Sequence, residues 1–251
     1  MNREHPFRYA ILLLPLGAVL LLLLLGGAGK SRYTIKFGTV APPDTPWAIQ
    51  LNEIKERVER ESKGKIRFKL YLGGQLGGEI EMVQQVRRGR IQGGGFSTGA
   101  IADIVPELSI LELPYLFRDE AEADRILDEI AFEPLSEKLA EKGFYLAYWG
   151  ENGWRSFGTK TRPIRKPEDL SGMKMRVQEN PVHIEMYKAL GATGIPLPVV
   201  EVIGALQTGL VDGFDNTPLF SVASEWIYKV KYYTLTRHIY QPAAIIFNKR
   251  F

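Results

Sequence analysis

The chain contains no cysteine, which removes disulfides, zinc–thiolate centres, thiol nucleophiles and cysteine lipidation from what it can do. That absence is compatible with an oxidising compartment. Histidine is almost as scarce, with three in 251 residues. Past the first thirty positions only His183 and His238 remain, neither with a carboxylate or second histidine at metal-ligand spacing, so no metal site is expected. No Gly-x-Ser-x-Gly elbow is present, and no Gly-x-Gly-x-x-Gly runs from a strand into a helix. No cofactor and no catalytic centre are therefore expected. Charge of one sign is missing too: 32 basic against 29 acidic residues give a net +3, spread along the chain, which gives no support to a nucleic-acid or membrane-adhesive surface. There is no internal repeat of fixed period.

What is present begins with an N-terminal signal. Arg3 and Arg8 precede an apolar stretch over 9–25, with leucine at every position of 20–25, followed by Gly26, Gly27, Ala28 and Gly29. That order reads as a secretory leader over 1–28, cleaved after Ala28, or as an uncleaved anchor of nearly spanning length. Either way the remainder is exported. Gly29, Lys30 and Ser31 imitate the end of a phosphate-binding loop, but Leu24 stands where such a loop needs its first glycine.

The exported part, with 45% hydrophobic residues across the chain, has ample material for a core. A β-like run at 34–40 leads through the turn-rich 41–46 into a helix whose Trp47, Leu51, Ile54 and Val58 share one face. Ile66, Phe68 and Leu70 then alternate as a strand, and a second helix is expected over 79–88. Further strands are expected at 144–149, 173–177, 211–214 and 243–247, and further helices at 182–190 and 200–210. Such alternation predicts α/β layers with mostly parallel sheets, and Pro163 and Pro167 suggest two sheets rather than one.

Candidate binding residues are few. The run Gly93-Gly94-Gly95-Phe96-Ser97-Thr98-Gly99 either admits close approach of a ligand to backbone or, as the better reading, makes a tight strand-to-helix turn. Glu79 with Glu81 opens a helix, where carboxylates suit the dipole, and Arg87, Arg88 and Arg90 end it. Arg176 is different. In the strand 173–177 it faces opposite Met173, Met175 and Val177, and a cation in a central strand needs an anionic partner. A guanidinium binds a carboxylate through two parallel hydrogen bonds, so Arg176 either forms an internal salt bridge or clamps a ligand.

Several segments, in order, resemble the DctP-like substrate-binding proteins of tripartite ATP-independent periplasmic (TRAP) transporters. They are 36–38 (KFG), 75–79 (QLGGE), 113–117 (LPYLF), 169–177 (DLSGMKMRV) and 201–213 (EVIGALQTGLVDG). The last two are the most specific. The resemblance implies a two-lobed α/β fold of the periplasmic-binding-protein type, with a hinge, closing around an organic carboxylate that is then delivered to membrane permease subunits. It implies lobe I over 32–152 plus 239–251 and lobe II over 153–238. It implies Arg176 as the carboxylate clamp, Arg155 as a supporting cation and Asn216 as a ligand contact.

Phe96, Ser97, Trp154 and Phe214 are further candidates on the cleft, the three aromatics reading equally well as core. Val40 and Ser97 stand where polar or acidic residues can meet ligand hydroxyls, and Gln92 replaces a common aspartate. A ligand with fewer hydroxyls and more apolar surface than a sugar acid is therefore expected. The family usually continues beyond 245–249, so with Phe251 the second lobe is expected to be incomplete. A sensor receptor on the same scaffold is an alternative, and an exported α/β enzyme acting on organic acids another.

Overall fold

The structure, a computed structural model, describes residues 32–251. The leader expected over 1–28 and the motif at 29–31 lie outside the described residues.

Strand β1 (Tyr33–Thr39) runs into helix α1 (Pro46–Glu61), which starts where Thr45 accepts from the Ala48 N–H and Pro46 occupies the first turn. Ala48 and Leu51 are its buried positions, and charged residues cover the outer face. β2 (Ile66–Tyr71) lies parallel to β1. α2 (Glu79–Arg87) and β3 (Gly93–Ser97) follow, and Ser97 caps the short α3 (Thr98–Ile101). A 3-10 turn (Pro106–Glu112), α4 (Glu120–Arg125), a π turn (Ile126–Ala131) and α5 (Phe132–Glu141) complete the first half. The second half is built from β5 (Lys174–Val177), α6 (Pro181–Ala189), β6 (Thr193–Pro196), α7 (Val202–Thr208), β7 (Gly213–Asn216) and α8 (Pro218–Ala223).

Two long strands, β4 (Phe144–Thr159) and β8 (Tyr232–Asn248), belong to both halves. Where two separate sheets were expected, hydrogen bonding is continuous in the order β2-β1-β3-β8-β4-β7-β5-β6. The reason is length: at about 3.3 Å per residue, strands of this size extend across the whole molecule. β1 pairs parallel with β2 and β3, and β5 with β6 and β7, while every joint made by β4 or β8 is antiparallel. β4 thus does not stop after Trp149; it continues through three register shifts, at Leu146/Tyr148, Glu151/Gly153 and Arg155/Phe157, which bend the strand rather than end it.

The glycine run is the other correction. Gly93, Gly94 and Gly95 form a strand in the sheet interior, not a turn. A Cβ on Gly94 would lie 2.6 Å from the Gly38 carbonyl oxygen and would overlap the Phe96 ring, so the neighbouring chain packs where a side chain would stand.

Phe37, Leu51 and Phe68 pack under α1, and Phe157, Met175, Val177 and Tyr187 under α6. The largest cluster joins Met82, Val86 and Ile101 of the first half to Phe214, Phe220 and Trp226 of the second. Among the described residues no helix is long and apolar enough to cross a membrane.

Candidate functional site

A cavity of about 840 Å³ opens where the ends of β3, β5 and β7 meet the crossing of β4 and β8. Arg176, Arg155, Asn216, Phe96, Ser97 and Trp154 all border it, drawn from four strands of the sheet.

Arg176 is 2% exposed. Its Nε and one terminal nitrogen donate to the Leu197 carbonyl at 2.9 and 2.8 Å, and its guanidinium carbon stands 5.3 Å from the centre of the Trp226 ring. Among the described residues no carboxylate lies within ion-pair distance of it. Burial, with the neighbouring Arg155 second, pulls its pKa down to about 10, so the group is cationic at neutral pH. The remaining N–H donors, including both of the second terminal nitrogen, are left for the cavity.

Arg155 is as deeply buried but already neutralised. It donates to Asp215 Oδ2 at 2.5 Å and to the Asp215 carbonyl at 2.6 Å, and its other terminal nitrogen reaches Gln241 at 2.8 Å. Burial, the largest single influence, would raise the Asp215 carboxyl, but Arg155 together with His238 and His183 outweighs it and holds the group well below the usual carboxylate range. Tyr187 donates to the other Asp215 oxygen at 2.7 Å. Arg155 therefore supplies structure and field beside Arg176 rather than a free fork.

Asn216, two residues beyond the Phe214 that pairs with Arg176, adds a second donor. Its Oδ1 accepts from the Thr217 N–H at 2.8 Å, which turns its amide nitrogen outward on the cavity wall. Ser97 is closed to a ligand: its hydroxyl donates to Glu79 at 3.0 Å and accepts from Gln178 at 2.7 Å. Glu79 also takes the Ser97 N–H at 2.7 Å, and burial raises its carboxyl despite those bonds.

Phe96 and Trp154 line the wall, the latter with Nε1 on Glu120 at 2.8 Å and Arg237 stacked 4.7 Å above its ring. Phe214 lies outside the lining. It packs edge-on to Trp226 at 5.3 Å, beneath the ring that supports Arg176. Val40 borders the cavity, whereas Gln92 does not; Gln92 accepts from the Lys36 N–H between strands.

Sequence reasoning missed Glu79, Gln178 and Gln241. Gln178 had a signal, since it lies two residues beyond Arg176 on the same strand face. Glu79 reads as a helix-opening carboxylate, and its contact with Ser97 across 18 residues of chain is invisible to spacing.

Residues 37–251 match the model of a family described as bacterial extracellular solute-binding protein, family 7, or DctP. The chain is 33% identical over 218 residues to the 2,3-diketo-L-gulonate-binding periplasmic protein YiaO of Escherichia coli, covering 86% of this chain and 66% of that protein. Among solved structures, a TRAP periplasmic solute binding protein from Pseudomonas putida F1 with bound D-glucuronate superposes with a TM-score of 0.83 at 34% identity, over 86% of this chain and 71% of that one. A TRAP periplasmic solute binding protein from Sulfurospirillum deleyianum with bound succinate superposes with a TM-score of 0.85 at 29% identity, over 88% and 72%. The chain spans about two thirds of the length of the curated relatives it matches.

Proposed function

The chain belongs to the DctP family, family 7 of the bacterial extracellular solute-binding proteins, and from that membership we propose that it is the extracytoplasmic substrate-binding subunit of a TRAP transporter. It captures a small organic carboxylate between two lobes, 32–152 plus 239–251 and 153–238, and delivers it to membrane permease subunits. It binds and releases; it does not transform its ligand.

One observation carries this reading. Arg176 is a buried cation whose own scaffold offers it a carbonyl and an aromatic ring but no anion. An uncompensated charge in such a place is costly, and a ligand carboxylate received by two parallel hydrogen bonds removes that cost. Asn216 adds a neutral donor on the same wall. Closure then follows as a population shift, because the ligand reaches both lobes only in the closed state.

Part of the wall supports a ligand poor in hydroxyls. Val40, Trp47, Phe96, Phe220 and Ile245 are apolar, and Ser97 and Glu79 satisfy each other. The test is calorimetry with succinate, D-glucuronate and phenylpyruvate on the wild type and on Arg176→Ala. Whichever carboxylate binds the wild type should lose about 100-fold or more in affinity, with an unchanged circular dichroism spectrum. Equal affinity in the two proteins sinks the assignment of Arg176.

A further inference from the structure

Behind the cavity wall runs a row of buried polar side chains that ligand binding alone leaves without a role. Glu112, the last residue of the 3-10 turn in the first half, is fully buried. Its carboxylate accepts from three donors: the Thr98 hydroxyl of the same half, Gln241 Nε2 of β8 at 2.8 Å, and His183 Nε2 of α6, in the other half, at 2.8 Å. His183 is equally buried.

Two further bonds run beside this one. Gln178 donates to Ser97 Oγ at 2.7 Å, and Asn180 donates to the Gly99 carbonyl at 3.2 Å. Positions 178, 180 and 183 of the second half are thus fastened to 97, 99 and 112 of the first. The row also connects to the cavity. Gln241 Nε2 is shared between Glu112 and Gln178 Oε1, at 2.7 Å from the latter, while Gln241 Oε1 receives Arg155 at 2.8 Å. An ionised carboxylate is an acceptor only, so Glu112 dictates which way the Gln241 amide faces, and Gln241 in turn dictates Gln178.

We propose that Glu112 and His183 form a closure clasp, a buried pair made only when the two halves meet, which on forming locks the Gln241 and Gln178 amides into the orientation that the closed cavity requires. Glu112 is thereby a positioning residue for ligand capture, touching no ligand itself. Apart, each member is hydrated; half-made, the clasp leaves a carboxylate buried without its full set of donors, which is unfavourable. The pair therefore favours either full closure or full opening. The proposal rests on the receptor reading only in requiring that the halves separate.

The absence of cysteine makes the test direct. Arg57→Cys on α1 and Lys188→Cys on α6, both at well-exposed positions in different halves, carry spin labels whose separation is measured without ligand by pulsed dipolar spectroscopy. The labelled protein should show a closed population. His183→Leu and Glu112→Leu should each lower the closed-to-open ratio about tenfold or more, and His183→Gln, which keeps a donor for Glu112, should restore much of it.

The double variant Glu112→Leu with His183→Leu replaces the pair by apolar side chains, a change that buried ion pairs commonly tolerate, so it decides the matter if the single variants do not fold. Its closed population should be smaller than that of the parent protein and no smaller than that of any single variant that folds; a double variant that closes as often as the parent overturns the clasp. Folded variants with an unaltered distance distribution, or a parent protein with no closed population, overturn the clasp. A carboxylate panel that fails to bind overturns the receptor reading without touching this measurement.

Discussion

Two buried arginines stand side by side in this protein and do different work. Strand alternation picks out Arg176, but spacing leaves open whether it meets an internal carboxylate or a ligand, and only the structure places a carbonyl and an indole behind it and no acid beside it. Arg155 reads from the family resemblance as a supporting cation, and its partner Asp215, 60 residues away, has no local signature. Breaking a buried pair by removing one charge costs about 3–5 kcal/mol, so Asp215→Asn should lose stability on that scale in urea unfolding at pH 7. The pH dependence has a definite sign. Asp215 is held far below its unfolded value of about 3.9, so its contribution is complete above that value and is lost as pH falls through the folded pKa. The gap between wild type and variant should be constant from pH 7 to about pH 5 and should narrow below about pH 4; a gap that widens in acid refutes the pairing.

At the scale of elements, helices and strands were legible where their apolar period is regular. The face formed by Trp47, Leu51, Ile54 and Val58 and the capping Thr45 mark α1, and α2 falls within a residue of its expected bounds. By contrast α4 and α5 carry buried Ala123, Leu135 and Leu139, but the π turn between them, which buries Leu127, disturbs the period. β3 was hidden because a strand of three glycines has no side-chain alternation to read; what makes it a strand is the chain packed against it. Two glycines in contrasting surroundings test this packing. Gly94→Ala places a methyl group against the Gly38 carbonyl and the Phe96 ring and should destabilise by about 2 kcal/mol or more, within the overpacking range. Gly204, exposed on α7 with nothing within 4 Å of the position of its missing Cβ, should gain about 0.5–1 kcal/mol as Gly204→Ala. Opposite signs in thermal unfolding confirm the distinction, and a tolerated Gly94→Ala removes it.

On the scale of the whole molecule, alternation of strand and helix was legible and the joining of the halves was not legible from spacing, because β4 and β8 extend well beyond the 144–149 and 243–247 expected of them, to Thr159 and back to Tyr232. Those strands are what bring Arg155, Trp154 and Gln241 to the same cavity as Arg176 and Asn216. A ligand held there stabilises the closed, folded chain by mass action: at 100 times its Kd the gain is about 2.7 kcal/mol, or about 5–10 °C in Tm for a domain of this size. The composition of the wall then ranks ligands. A carboxylate satisfies Arg176 in every case, but each ligand hydroxyl placed against Val40, Phe96, Phe220 or Ile245 loses its water without gaining a partner. In a thermal-shift screen, phenylpyruvate and branched-chain 2-oxo acids should therefore raise Tm more than succinate, and succinate more than D-glucuronate, with every shift abolished in Arg176→Ala. A larger shift with D-glucuronate than with phenylpyruvate would mean that Glu79 and Gln178 release their internal partners to meet ligand hydroxyls, and it would reverse the ranking drawn from the apolar wall.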